Sequence, residues 1–284
     1  LEEGLISSPT TTGFPFHYLL LFFPNLRSKN RIEDWKNSLI PKIKGEWMNL
    51  ITGGVKYERL RPLSPSISPM SQIIWMARHA NRIDFVNPDW FRTAERRYDP
   101  PLSDDGIIQT QKLAKRLQKE HIAHIFASPF LRTVQTANAV AEALDLPIKL
   151  ETGLSEWLNP AWMTEEPEKL SIPALAELFP RIDTSYTSRI AAKYPETLAQ
   201  VQERCGQTAR CLAEEFFPAD ILLVGHGASV LGGAIGLVGE MAETEVKASL
   251  CSLVKIVRQD QTWLLELKGD TSHLSQIEEV IRFV

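Results

Sequence analysis

Two histidines in this chain close short apolar runs, and each arrives beside groups suited to anion chemistry. Arg78-His79 follows Ile73-Ile74-Trp75-Met76-Ala77, and Gly225-His226-Gly227 follows Ile221-Leu222-Leu223-Val224. Runs of this kind read as buried strands. A residue delivered at a strand's carboxyl end lies where open α/β sheets bind their ligands. Arg132, in Ser128-Pro129-Phe130-Leu131-Arg132, stands at the start of a helix, where free N–H groups and the dipole favour anions. Glu156, in Gly153-Leu154-Ser155-Glu156-Trp157, falls just after a strand. Arg82 completes a set of three arginines and two histidines that one fold could aim at a single pocket. Guanidinium forks make paired, charge-assisted hydrogen bonds to phosphate oxygens, so the set describes a site for a phosphate dianion.

The elements that would position these groups alternate along the chain. Strands are expected over 73–77, 123–127, 148–151 and 221–224. Helices are expected from Ser103 through Leu117, over 130–144 and 197–216, and from about Ser229. Ser103 is a natural cap, with Asp104 and Asp105 favourably placed in the first turn. Segments 252–257 and 263–267 read as a hairpin. Strand and helix in alternation predict a three-layer α/β/α fold around a mostly parallel sheet. Residues 1–69 differ: they are rich in Ser, Thr, Pro and Gly and end in Pro62-Leu63-Ser64-Pro65-Ser66-Ile67-Ser68-Pro69, where prolines break long helices and inner strands. The chain opens with Leu, and Met70 lies just ahead of the first strand. The expectation is a poorly ordered appendage over 1–69 and a working domain over 70–284.

Composition narrows the function. Of 284 residues, 44% are hydrophobic and 23% charged, and the net charge is −4, which argues against a nucleic-acid partner. The apolar run 18–23, between Pro15 and Pro24, is far short of the roughly 20 residues of a membrane span, and no basic segment precedes it. No membrane partner and no secretory signal are expected. The three cysteines, Cys205, Cys211 and Cys251, lack metal-type spacing and fit a reducing, cytoplasmic setting. His121 and His124 read as surface or packing residues, with a two-histidine metal site the formal alternative, and His273 reads as structural.

The motifs carry a resemblance. Ala77-Arg78-His79-Ala80, Leu102-Ser103-Asp104-Asp105-Gly106, Ser128-Pro129-Phe130-Leu131-Arg132-Thr133-Val134-Gln135-Thr136-Ala137 and Gly225-His226-Gly227 resemble, in order, the histidine phosphatase (phosphoglycerate mutase-like) superfamily. The match runs from about 70 to 275. Within it the chain looks closest to the phosphatase domain of the suppressors of T-cell receptor signalling and to steroid-phosphate phosphatases, through Arg78-His79-Ala80-Asn81-Arg82-Ile83-Asp84, the aromatic insert around Trp90, Asp99-Pro100-Pro101, Gly153-Leu154-Ser155-Glu156-Trp157 and Ile182-Asp183-Thr184-Ser185-Tyr186.

The resemblance implies a phosphomonoester hydrolase whose catalytic residues are His79, Glu156, Arg78 and His226. His79 would be the nucleophile and form a phosphohistidine, and Glu156 would exchange the proton. Arg78, Arg82, Arg132 and His226 would hold the phosphoryl oxygens in place of a metal, so neither metal nor cofactor is expected. Asp84 and Glu151 are other acids that could serve as the proton donor. The substrate would be a small-molecule or peptide phosphate ester, and oligomeric state is left open. Two alternatives stand beside this. A phosphoglycerate-mutase-type phosphotransferase is disfavoured, because Ala80-Asn81-Arg82 and Trp157-Leu158-Asn159 replace the family's mutase signatures. A catalytically weak phospholigand-binding module is the other, raised by Ala80 where the family usually has Gly. Alanine there is costly if φ is positive and tolerable if only small bulk is required. The insert 85–98 is read first as a packed excursion and second as a lid selecting bulky or aromatic esters.

Overall fold

The computed structural model describes residues 71–274. The expected appendage over 1–69 lies outside them. Six strands form one sheet: β1 (Ser71–Arg78), β2 (Ile122–Ala127), β3 (Ile148–Leu150), β4 (Asp220–Gly225), β5 (Leu253–Gln259) and β6 (Thr262–Asp270). Their order is β3-β2-β4-β1-β5-β6. The four strands β3, β2, β4 and β1 run parallel, and β5 and β6 add an antiparallel edge. The sheet is therefore mostly parallel, as the alternation predicts, and the hairpin turns at Asp260-Gln261.

Strand periodicity assigns the two faces. Trp75, Ala77, Ile125, Ala127, Leu222 and Val224 point to one side, into a core completed by α3 (Asp104–Leu117) and α4 (Leu131–Leu144). Ile74, Met76, Phe126, Ile221 and Leu223 point to the other, against α6 (Leu198–Glu215) and α7 (Gly227–Val238). Alternate side chains on opposite faces, both buried, explain why the strands read as continuous apolar runs. Four short helices complete the set: α1 (Ile83–Val86), α2 (Trp90–Thr93), α5 (Ile172–Leu178) and α8 (Met241–Glu245). No helix among the described residues is long and apolar enough to cross a membrane.

The order places β4 between β1 and β2, so the chain leaves β1 on one side of β4 and returns on the other. Such a reversal opens a crevice at the carboxyl edge. Three backbone hydrogen bonds keep the strand ends level there: His79 N–H to Gly225 O (2.9 Å), Ser128 N–H to Val224 O (3.0 Å) and Glu151 N–H to Ala127 O (2.8 Å).

α7 is built of small residues because it must lie close to α6. A Cβ on Gly236 would fall 2.3 Å from the Cα of Gly206 and 2.8 Å from its carbonyl oxygen, so two backbones touch where these helices meet. Gly236→Ala must force them apart and is expected to destabilise the fold by about 1–3 kcal/mol. Urea unfolding measures this; an unchanged midpoint would show that the helices do not meet at this contact.

Candidate active site

The turn after β1 carries His79 inward and is braced from two helices. Ala80 N–H donates to Thr136 Oγ1 (3.2 Å) and Asn81 N–H to Gln109 Oε1 (2.9 Å), while the Asn81 amide donates to Asp105 (2.7 Å). Gly106 is required where it stands, since a Cβ would lie 2.1 Å from the Asn81 carbonyl oxygen. The Ser-Asp-Asp-Gly motif thus reads physically. Ser103 caps α3 by accepting from Gly106 N–H, Asp105 holds Asn81, and Gly106 admits its backbone. The α4 motif divides similarly. Arg132 turns into the site, Gln135 accepts from Leu102 N–H (2.8 Å), and Thr136 holds Ala80.

His79 is fully buried. Its Nδ1 lies 2.8 Å from the Ala80 carbonyl, an acceptor, so Nδ1 carries the proton and Nε2 keeps its lone pair. That Nε2 has no hydrogen-bond partner among the described residues. Burial first, then Arg132, Arg78, His226 and Arg82, hold the imidazole well below its ordinary pKa.

His226 meets His79 edge-on, with ring centroids 5.3 Å apart. Its Nε2 is 2.9 Å from Ser128 Oγ, and its Nδ1 is 3.2 Å from Arg132 Nη2 and 3.3 Å from Glu156 Oε2. Nδ1 cannot accept from Arg132 and donate to Glu156 at once, so the two contacts belong to different proton arrangements. Burial, with Arg132 and Arg82 adding and Glu156 opposing, lowers His226 to about 4. The neutral ring, accepting from Arg132, is therefore the form at neutral pH.

Arg132 is 1% exposed. It is 3.5 Å from Glu156 and 3.8 Å from Asp99, and it stacks 4.7 Å from the centroid of Phe130. Arg82 pairs with Asp84 through Nε and Nη2 and lies over Phe85. Arg78 Nη1 donates to Ala248 O (2.8 Å). These three arginines, Glu156, Phe91, Tyr98, Trp157, Trp162, Met163 and the start of α7 line a cavity of about 350 Å³.

The three candidate acids separate cleanly. Glu151 is buried away from the cavity and accepts from Gly153, Arg189 and Ile190 N–H and from the Tyr186 and Ser188 hydroxyls. Asp84 is committed to Arg82. Glu156 alone of the three lines the cavity, and its carboxylate lies within 4.8 Å of a nitrogen of His79 and one of His226. Burial pushes this carboxyl up, but His226, Arg132 and Arg78 outweigh burial and hold it far below the usual carboxylate range. Arg132 and Arg78 act in that direction whether or not His226 carries its second proton. His79, Glu156 and His226 are spaced closely enough to ligate a metal, yet the surrounding guanidinium groups disfavour a cation and suit an anion.

Of the six residues picked from the sequence, Arg78, Arg82, Arg132 and Glu156 line one cavity, and the buried His79 and His226 each place a ring nitrogen within 4.8 Å of the Glu156 carboxylate. The motifs did not single out Thr136, Gln109, Arg204 and Glu196 as supports, or Trp162 and Met163 in the wall. Two signals were present: the Gln-Thr pair after Arg132, and the second tryptophan following Glu156-Trp157. His124 packs edge-on against Phe216 at 4.7 Å, and His273 Nε2 contacts Cys251 O at 2.9 Å, both packing roles.

A profile of the histidine phosphatase superfamily (branch 1) matches residues 74–271. The chain belongs to the histidine phosphatase superfamily. Its relatives include the ecdysteroid-phosphate phosphatase of Drosophila melanogaster, 27% identical over 237 residues, covering 68% of this chain and 31% of that protein. The transcription factor tau 55 kDa subunit of Saccharomyces cerevisiae is 26% identical over 259 residues, covering 73% of this chain and 57% of that one. A probable phosphoglycerate mutase of Yersinia pestis is 28% identical over 191 residues, covering 64% and 87%. The chain thus spans only part of the first two relatives. Among solved structures, the ecdysone phosphate phosphatase of Bombix mori in complex with tungstate aligns with a TM-score of 0.60 at 19% identity, covering 72% of this chain and 96% of that one. Phosphoglycerate mutase from Bacillus anthracis aligns with a TM-score of 0.51 at 21% identity, covering 72% and 95%. These likenesses establish the phosphoglycerate mutase-like fold of this superfamily member.

Ala80, the departure from the superfamily's usual glycine, is resolved by the backbone. The described non-glycine residues with positive φ are Asp145, Cys251 and Asp260, so position 80 demands small bulk, not left-handed geometry. Ala80→Gly is expected to keep or raise turnover of a phosphate ester while lowering stability by about 0.5–1 kcal/mol. A large loss of turnover, measured beside urea unfolding, would show that the methyl group itself shapes the site.

Proposed function

We propose that this chain is a metal-independent phosphomonoester hydrolase acting through a phosphohistidine on His79. The observation that carries the reading is the buried, neutral His79, with Nδ1–H committed to Ala80 O, Nε2 unpartnered among the described residues, and a ring nitrogen within 4.8 Å of Glu156, which lines a cavity with three arginines. Nε2 attacks phosphorus, the ester P–O bond breaks, and protonated Glu156 gives its proton to the leaving oxygen. Water then attacks phosphorus, Glu156 takes the proton back, the N–P bond breaks, and inorganic phosphate and free His79 result. Arg78, Arg82 and Arg132 hold the phosphoryl oxygens, where charge gathers in a loose transition state, and His226 joins them in its protonated arrangement, in which Nδ1 donates.

The cavity wall favours a hydrolase over a mutase. Phe91 packs against Tyr98 and Trp157 against Trp162, and Phe91 and Trp162 are 50% and 60% exposed. Such aromatic side chains suit an apolar or aromatic alcohol better than a second anionic group. The insert 85–98 supplies Phe91 and Tyr98, which favours its role in selecting the ester over that of a packed excursion. The relatives described as phosphatases of steroid phosphates support the same direction.

Purified protein without added metal should hydrolyse p-nitrophenyl and naphthyl phosphate faster than 3-phosphoglycerate, and His79→Ala should lose about 10³-fold or more. Mutase activity with a bisphosphoglycerate primer, or full activity in His79→Ala, would overturn the reading.

The pH dependence follows from the same charges. Glu156 is ionised in the free protein at neutral pH, so the proton it donates must enter with the substrate. A phosphate monoester carries that proton below its second pKa of about 6. For an alkyl phosphate, kcat/KM is expected to fall as pH rises above about 6, approaching tenfold per unit. It should show no loss on descending through about 6.5, the ordinary histidine pKa, because the folded His79 pKa lies well below that. A profile that rises through about 6.5 toward alkaline pH would contradict this.

A further inference from the structure

Arg204, on α6, lies outside the cavity and is 6% exposed. All five of its N–H donors are used. Nε donates to Glu196 Oε1 (2.6 Å) and Nη2 to Glu196 Oε2 (2.8 Å), a two-point fork. Nη1 donates to the carbonyls of Gly153 (2.7 Å) and Ser155 (3.1 Å), and Nη2 also to the carbonyl of Glu156 (3.1 Å). Glu196 closes the ring from the other side. Its Oε2 accepts from Leu158 N–H (3.3 Å), its N–H donates to Leu158 O (2.9 Å), and its carbonyl accepts from the Trp157 indole N–H (2.9 Å). The segment 153–158, which has no regular structure beyond a single 3₁₀ turn at Thr152–Leu154, is thus gripped along its length by one ion pair. Glu196 is fixed in turn because Thr197, next to it, forms a capping box with Gln200 at the start of α6.

We propose that the Glu196–Arg204 pair is the positioning element of the proton donor, holding the Glu156 backbone and Trp157 so that the Glu156 carboxylate faces His79 and His226. This rests on Glu156 being the donor. The geometry requires arginine: five donors in a rigid plane reach three carbonyls and both carboxylate oxygens, whereas lysine has three donors on one atom. The backbone of Glu156 is held on the side of α6, and its carboxylate is steadied by Trp157 N–H on Oε1 (3.0 Å). A slip of about 1 Å at a reacting group can cost about 10²-fold, and the loss should fall on the step that needs the proton.

The test compares two substrates in one preparation, so that the fraction of folded protein cancels. p-Nitrophenolate leaves with little help, whereas an alkoxide must be protonated. Arg204→Lys and the milder Glu196→Gln are expected to lower kcat/KM for an alkyl phosphate about tenfold or more beyond their effect on p-nitrophenyl phosphate. Glu156→Gln should show the same selective loss to a larger degree. Equal losses on both substrates in the two clamp variants, with Glu156→Gln still selective, would overturn the clamp proposal alone. A Glu156→Gln variant without selectivity would overturn the proton-donor assignment, and the proposal with it.

Discussion

A guanidinium with almost no access to water must be compensated where it stands, and Arg132 sets that requirement for the whole site. Removing a charge from water costs several kcal/mol even after relaxation. Burial lowers Arg132 to about 10, against the support of Glu156, Asp99 and Asp84, so the group remains charged at neutral pH. Its neighbours are what such a charge demands. Two carboxylates, the Tyr98 carbonyl at 3.4 Å, the Phe130 ring and the Nδ1 of His226 surround it. The compensation is incomplete, because Asp99 and Glu156 each sit beyond 3.4 Å. In the proposed reaction an arriving phosphate group, able to close to normal hydrogen-bond distance, improves on what the protein itself provides.

The sheet order makes this concentration of charge possible. Three arginines cannot be gathered by one segment without severe repulsion along it. Here they come from different places: Arg78 from the last position of β1, Arg82 from the turn beyond, and Arg132 from the first turn of α4. Each is tied separately, to Ala248 O, Asp84 and Glu156. Because β4 inserts between β1 and β2, His226 is delivered beside His79 and Ser128, and the three strand ends stay level through backbone hydrogen bonds. Positioning by a rigid sheet suits a reaction in which the protein supplies little but place and field.

What the sequence disclosed follows the range of the interactions. Strands buried on both faces announce themselves as apolar runs, and capped helices by their first turn, so the sheet and long helices were legible to within one or two residues at most ends. His79, Arg132 and His226 were legible because each sits where a regular element begins or ends. Glu156 was chosen over Glu151 through the family resemblance, not through any local pattern that separates the two. The difference lies in Tyr186, Ser188 and the backbone of 189–190, more than thirty residues downstream, which saturate Glu151. The stretch 155–197 has little periodicity because side chains, not ladders, hold it. Arg204 grips it from a helix some fifty residues away, and no local pattern reports such a contact.

On the proposed mechanism, the charge on Glu156 gives the site its order of events. As a carboxylate it satisfies Arg132, and its negative charge opposes the lowering of the His226 pKa; in that form it cannot protonate a leaving group. A phosphate ester binding among the same arginines takes over their compensation and adds negative charge beside the carboxyl, and both effects raise its pKa. In the proposed reaction the carboxyl thus gains its proton only when there is an ester oxygen to receive it. His79, kept neutral by burial and by those arginines, needs no such change and is ready throughout. On the proposed mechanism, one positive field keeps the nucleophile deprotonated and, once screened by substrate, releases the acid to work.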